Sequence, residues 1–208
     1  MQHQIKYILF ALFISLTQFS FAQDCNYAGL STEYIFRVKA TTPSKGYDKD
    51  IHVDILRKSD KSLVQKVVVK DASIFDHCFK DCNAVKSFST DLNKNKDFYR
   101  RGVTTPAYSG DFIVADFDFD GREDFAVISS QGSCCTNYKF FRQNEHKLFV
   151  EDEYLDQELT SLPDIDIVKK NISLTDDYIQ NKVHHINKTM YTYDGEKKKW
   201  LKKGMKIK

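Results

Sequence analysis

The sequence predicts an all-β protein with a minor helix, folded as a single antiparallel domain that contains one strand–loop–strand hairpin. Three observations predict it. Beyond residue 33 most of the chain runs in short segments where apolar and polar residues alternate, the period of a half-buried strand. Clusters of Gly, Pro, Asn, Asp, Ser and Lys separate those segments at short intervals, as turns do. An acidic stretch, Asp116-Phe117-Asp118-Phe119-Asp120-Gly121-Arg122-Glu123-Asp124, lies between two apolar runs too short and too β-favourable for helices.

Taken in order, residues 1–22 read as a secretory signal peptide. Lys6 supplies a weakly positive start, residues 7–16 are apolar but short for a membrane span, and Ser20-Phe21-Ala22 offers small residues at −3 and −1 of a cleavage site. Cleavage after Ala22 starts the mature chain at Gln23. Cys25 is not expected to carry a lipid, because Asp24 occupies the preceding position, where a small residue is needed. The remaining residues, 23–208, are read as one β-rich domain.

Residues 33–41 place Tyr34, Phe36 and Val38 on one face, and Thr42-Pro43-Ser44-Lys45-Gly46 forms a turn. Ile51, Val53 and Ile55 alternate with polar neighbours, and residues 63–69 follow after Lys58-Ser59-Asp60-Lys61, so the two runs form a hairpin. Residues 74–85 are ambiguous, and 89–110 read as a long polar loop. A linker there would leave a first half with too little apolar surface to fold alone. Residues 112–115 and 125–128 flank the acidic loop, and 129–137 read as an exposed flexible loop. Residues 138–142 and 147–151 make a hairpin around Asn144-Glu145-His146. Leu155, Leu159 and Leu162 lie at helical spacing within 152–162, and Pro163 ends that segment. Strands follow at 171–174, 183–193 and 199–205, with Tyr193-Asp194-Gly195-Glu196 as the last turn.

The formal net charge of +2 falls to +1 without the leader, which holds Lys6 and no acid. Such a chain has no global field to steer nucleic acid, and no second segment is apolar enough to span a membrane. The mature protein is therefore expected in the periplasm or secreted. In an oxidising compartment Cys25, Cys78, Cys82, Cys134 and Cys135 are disulfide candidates rather than zinc ligands, despite His77 beside Cys78. Several pairings remain open, including a local Cys78–Cys82 bridge if that segment turns. One thiol must be left over, and the adjacent Cys134-Cys135 pair is its expected source.

The acidic loop carries the chemistry. Carboxylates from Asp116, Asp118, Asp120 and Asp124 stand at loop positions 1, 3, 5 and 9, with Gly121 at 6. That is the oxygen-only donor set a hard cation such as Ca²⁺ prefers, and the Arg122 main-chain carbonyl is the expected additional ligand. Phe117 and Phe119 then face away and anchor the loop. Val127 stands where an EF-hand carries its bidentate glutamate, so the loop is not an EF-hand. Water-facing aspartates on an ordinary hairpin are the alternative, but four such charges close together repel one another without an ion.

The loop is similar to the calcium loop of VCBS/FG-GAP repeats, which are β-propeller modules. A wider resemblance covers roughly residues 78–208. It rests on Val85-Lys86-Ser87-Phe88-Ser89-Thr90-Asp91-Leu92-Asn93-Lys94, on the segment 108–121, on Tyr138-Lys139-Phe140-Phe141 with Phe149-Val150, and on the leucine-rich 155–162. These resemble an exported bacterial family related to periplasmic lysozyme-inhibitor-like immunity proteins. The resemblance implies an incomplete propeller-like or sandwich-like domain with one structural Ca²⁺, and loops that plug a glycan hydrolase cleft. The aspartate loop occurs once, which counts against a closed propeller of copies. Where the family has a glycine-rich segment, this chain has Gln131-Gly132-Ser133-Cys134-Cys135-Thr136-Asn137.

The expected function is thus a calcium-stabilised binding protein, not an enzyme, whose partner is a peptidoglycan hydrolase. The expected contact loop comprises Gln131, Gly132, Ser133, Asn137 and Tyr138. No catalytic residues are assigned: the serines lack a nucleophile-elbow context, and His184-His185 has no acidic partner at diagnostic spacing. The alternatives are a metal-dependent envelope hydrolase acting on glycans or phosphoesters, and a structural envelope protein with no enzyme partner. Intact-mass measurement on protein from its native envelope should give a chain beginning at Gln23. A mass that retains Met1, or a lipid on Cys25, contradicts the assignment.

Overall fold

The structure is a computed structural model that describes residues 25–41, 48–75, 78–79, 87–89, 110–132, 136–166, 168–180 and 183–207. The leader and most of the 89–110 segment therefore lie outside the described residues. Three sheets follow one another along the chain. The first runs β1 (Cys25–Tyr27), β2 (Tyr34–Thr41), β3 (Lys49–Arg57) and β4 (Leu63–Ala72). The middle sheet runs β5 (Ser87–Ser89), β6 (Phe112–Ala115), β7 (Asp124–Gln131), β8 (Thr136–Gln143) and β9 (Phe149–Glu151), with only β5 parallel to its neighbour. A short helix α1 (Glu153–Glu158) leads to the third: β10 (Asp164–Asp166), β11 (Asn171–Gln180), β12 (Val183–Asp194) and β13 (Lys199–Ile207). Neighbours in each sheet are consecutive in the chain, and the first sheet, the third sheet and β6–β9 are antiparallel meanders.

Alternation explains the first sheet. Phe36 and Val38 of β2 stand opposite Ile55 and Val53 of β3, and Val53 stands opposite Val67 of β4. All five are buried, while the intervening Arg37 and Val68 are exposed. The middle sheet is buried on both faces through all of β6 and residues 124–128 of β7, so its apolar runs are continuous.

Aromatic rings join the first two sheets. Phe36 meets Phe112 (5.1 Å), Phe125 (5.5 Å) and Phe149 (6.0 Å), and Tyr27 stacks on Phe112 at 5.3 Å. Such pairs each add about 0.5–1.5 kcal/mol beyond the area they bury. The Gln65 side chain adds a polar link, donating to Phe149 O and accepting from Phe149 N, both at 2.8 Å.

The third sheet packs through its near half, where Ile172, Leu174, Tyr191 and Trp200 are buried. Further out, Thr175, Asp176, Leu201, Lys203 and Met205 are exposed. Of β11 the sequence signals only residues 171–174, the buried stretch, whereas the expected strands at 183–193 and 199–205 match β12 and β13.

Other differences have equally local causes. Asp152 Oδ1 caps α1 by accepting from Leu155 N (3.1 Å), but Leu159 is already extended (φ −99°, ψ 108°). The helix is thus about one and a half turns, in keeping with the turn or two expected within 152–162, and Leu159 and Leu162 are buried beyond its end. Of the expected 129–137 loop, residues 129–131 and 136–137 are strand, with Ser130 paired to Asn137 and Gln131 to Thr136. Strands β1 and β10 are three residues each, too short for a period to register.

The cysteines meet expectation only in part. Cys25 is disulfide-bonded, to a cysteine outside the described residues. Cys78 is a free buried thiol, so no Cys78–Cys82 bridge forms. Its Sγ donates to Gln131 Oε1 (3.1 Å), and burial, with Asp111 nearby, pushes its pKa up to about 12. A thiol so placed is inert packing.

Phe36 is fully buried where the first two sheets meet. Phe36→Ala should cost about 3–5 kcal/mol in urea denaturation, against under about 0.5 kcal/mol for Val68→Thr on the outer face. Equal effects would contradict this placement of the core.

Candidate metal centre

The acidic loop connects β6 to β7, and its conformation follows from its sequence. Phe117 is fully buried, edge-on to Phe140 at 5.2 Å, and Phe119 is partly buried against the core. With these two rings turned inward, the alternating aspartates converge: ligand atoms of Asp116, Asp118 and Asp120 all lie within 4.8 Å of one another. The curl needs left-handed backbone at Phe119 (φ 60°) and Gly121 (φ 88°). Glycine meets that demand at no steric cost.

Amides inside the loop hold the carboxylates in place. Asp116 accepts from Asp120 N (3.0 Å) and Gly121 N (2.9 Å), and Asp120 accepts from Arg122 N (2.8 Å). Asp124, the fourth expected ligand, does a different job. It is fully buried, and its two oxygens accept from Phe117 N (2.9 Å) and Gln143 N (2.8 Å). That carboxylate pins the loop to itself and to the end of β8. Arg122 participates through its guanidinium, which pairs with Asp120 and donates from Nε to Gln143 O (3.0 Å).

Two further side chains tie the loop to the other sheets. Glu123 accepts from Thr32 N (2.7 Å) and Thr32 Oγ1 (3.0 Å) and binds Ser31, reaching the first sheet. Arg142 of β8 donates to Asp118 Oδ2 (3.0 Å), pairs with Asp152, and lies 4.3 Å from the centre of the Tyr193 ring. Asp152 in turn accepts from Trp200 Nε1 (2.8 Å). A chain of charged contacts therefore runs from the loop through the helix cap to the third sheet. The sequence offers no signal for Arg142, since the acids it joins lie 24 residues before it and 10 after it.

Of the expected contact loop, Gly132 is exposed, and Ser133 lies outside the described residues. Tyr138 is not available to a partner: it is buried, and its hydroxyl donates to Gly110 O (2.9 Å). Gln131 latches β7 to the first sheet, accepting from Phe75 N (3.1 Å) and donating its own N–H to Ser73 O (2.9 Å). Asn137 donates to Ser130 Oγ (2.8 Å) across the hairpin.

Comparisons of the chain with protein-family models, with curated proteins and with solved structures return no match.

Three converging carboxylates fit a hard divalent cation, but three carboxylates alone do not select calcium over other such ions. The electrostatics fit as well. Burial, reinforced by the charges on Asp118 and Asp120, pushes the Asp116 carboxyl from 3.8 up to about 6 against the pull of its amide donors. Burial also raises Asp118, where Arg142 opposes the shift, and raises Asp124 well above the usual range. For a carboxyl raised in the folded state, the associated stability is fully present below 3.8 and lost as pH rises through about 6. The cation-free protein should therefore melt lower at pH 7 than at pH 5. Added Ca²⁺ should raise the melting temperature more at pH 7 than at pH 5, because protons compete for the site below about 6. Asp120→Ala should abolish the gain. Identical melting with Ca²⁺ and with chelator at pH 7 would contradict a cation site.

Proposed function

We propose that the protein is an exported, calcium-stabilised binding protein that acts by presenting rigid hairpins to a partner. The convergence of Asp116, Asp118 and Asp120 carries this reading. A cation there would lock the loop whose tethers reach all three sheets. Ca²⁺ supplies charge neutralisation and rigidity when bound, while the protein's own residues supply the orientation. Asp124 fixes the loop on β8, Glu123 fixes it on the first sheet, and Arg142 extends the connection to the third. A surface organised in advance loses less conformational entropy on binding.

The partner proposed is a peptidoglycan hydrolase, on the strength of the family resemblance. The contact element proposed is the segment 132–135, of which 133–135 lie outside the described residues, between strand ends that Gln131 and Asn137 hold. Such an inhibitor acts by occupying the enzyme's cleft and needs no catalytic group of its own. The test is titration of a panel of muramidases with purified protein. Stoichiometric inhibition that disappears in Gly132→Glu/Ser133→Glu, which leaves every cysteine in place, with melting unchanged, supports the proposal. No inhibition of any member at micromolar concentration contradicts it.

One observation favours a second reading, the metal-dependent hydrolase. An open cleft of ≈ 640 Å³ lies beside the aspartate loop and is lined by Asp118, Asp120, Arg122 and Arg142 among others. Cation-dependent turnover of a glycan or phosphoester by the protein alone would establish that reading in place of inhibition.

A further inference from the structure

Four turns enclose that cleft. The aspartate loop and the β8–β9 turn form the wall contributed by the middle sheet. The β10–β11 and β12–β13 turns form the wall contributed by the third sheet, with Lys170 and Lys198 on them. Asp118 and Asp120 line the cleft, so a cation shared by the aspartate triad would sit in its wall.

The positive charges of the cleft divide into two groups. Arg122 is taken up by Asp120 and Gln143 O, and Arg142 by Asp118, Asp152 and the Tyr193 ring. Lys170 and Lys198 have no carboxylate partner among the described residues, although their neighbours do: Lys169 pairs with Asp166 (3.1 Å) and Lys197 with Asp194 (3.0 Å). Both unpaired lysines also occupy left-handed backbone, at φ 50° and 51°. Glycine or asparagine is the ordinary occupant of such turn positions. Lys61 and Lys147 adopt the same backbone in other turns, so what sets Lys170 and Lys198 apart is that both line the cleft without a carboxylate partner among the described residues.

We infer that the cleft binds a small anionic ligand, a carboxylate- or phosphate-bearing molecule, held between Lys170 and Lys198 on one wall and a cation at Asp116, Asp118 and Asp120 on the other. The inference rests on the cation reading above and extends it to the ligand. Two ammonium groups facing a bound cation across an open cleft repel it, and an anion between them converts that repulsion into attraction on both sides. Phe119 and Tyr193 line the same cleft and give the ligand body apolar contact. The volume, ≈ 640 Å³, lies within the range of small-molecule sites.

The test is calorimetric titration of the full mature chain with glucuronate, glucose 6-phosphate and neutral glucose, each with Ca²⁺ and with chelator. The expected result is binding of one or both anionic sugars in Ca²⁺, none of glucose, and affinity at least about tenfold weaker in Lys170→Gln/Lys198→Gln. That variant should keep the wild-type melting temperature without cation and respond to Ca²⁺ at least as strongly as wild type, since two charges that repel the cation are gone. The two anionic probes separate a carboxylate ligand from a phosphate ligand. If Ca²⁺ stabilises the protein but no anionic sugar binds, or the double variant binds as well as wild type, the ligand inference is overturned and the cation reading stands. Anion binding that is equal in Ca²⁺ and chelator overturns the bridging arrangement. Absence of both Ca²⁺ stabilisation and anion binding overturns the cation reading, and the inference with it.

Discussion

A buried carboxylate that accepts two backbone amides sets the geometry at the loop end of the middle sheet. Asp124 has no exposure to solvent, and Phe117 N and Gln143 N each donate to one of its oxygens. A carboxylate taken out of water this completely is costly unless such bonds satisfy it. The arrangement therefore tolerates little adjustment: the loop must curl so that Phe117 returns to Asp124, and β8 must end where Gln143 reaches it. The convergence of Asp116, Asp118 and Asp120 follows from that curl.

The same loop is where the three sheets are connected by charge rather than by apolar packing. Glu123 reaches back to Ser31 and Thr32, and Arg142 bridges Asp118 to Asp152, which also receives Trp200. Ion pairs of this kind contribute little when exposed, but Asp118 and Asp152 are nearly buried, and removing one partner would strand the other's charge. The network thus specifies how the third sheet sits against the middle one. A cation at the triad would act on this network directly, because Asp118 belongs to both.

Much of this was legible in the sequence where the cause is local. Alternating apolar residues marked β2, β3 and the start of β4, and the spacing of Asp116, Asp118, Asp120 and Gly121 marked a curled loop. Asp124 was visible as an acid, but its role was not, because one of the amides it holds comes from Gln143, on another strand. Arg142 reads as an ordinary strand residue, since the acids it joins meet only through packing. Residues 129–137 look like a loop because they are small and polar. Residues 129–131 pair as strand, where Ser73 and Phe75, just beyond β4, supply partners for Gln131. The cleft has no sequence signature, as its walls come from turns far apart in the chain.

The central claim is that Asp116, Asp118 and Asp120 hold a divalent cation within a loop whose shape the protein already fixes. A crystal structure of the mature chain grown with Ca²⁺, with a Mn²⁺ exchange to supply an anomalous signal, tests it most directly. The claim predicts an anomalous peak within about 2.0–2.6 Å of oxygens from all three aspartates, with Asp124 still bonded to the Phe117 and Gln143 amides. An ordered loop with no peak, its aspartates still paired to Arg122 and Arg142, would contradict it.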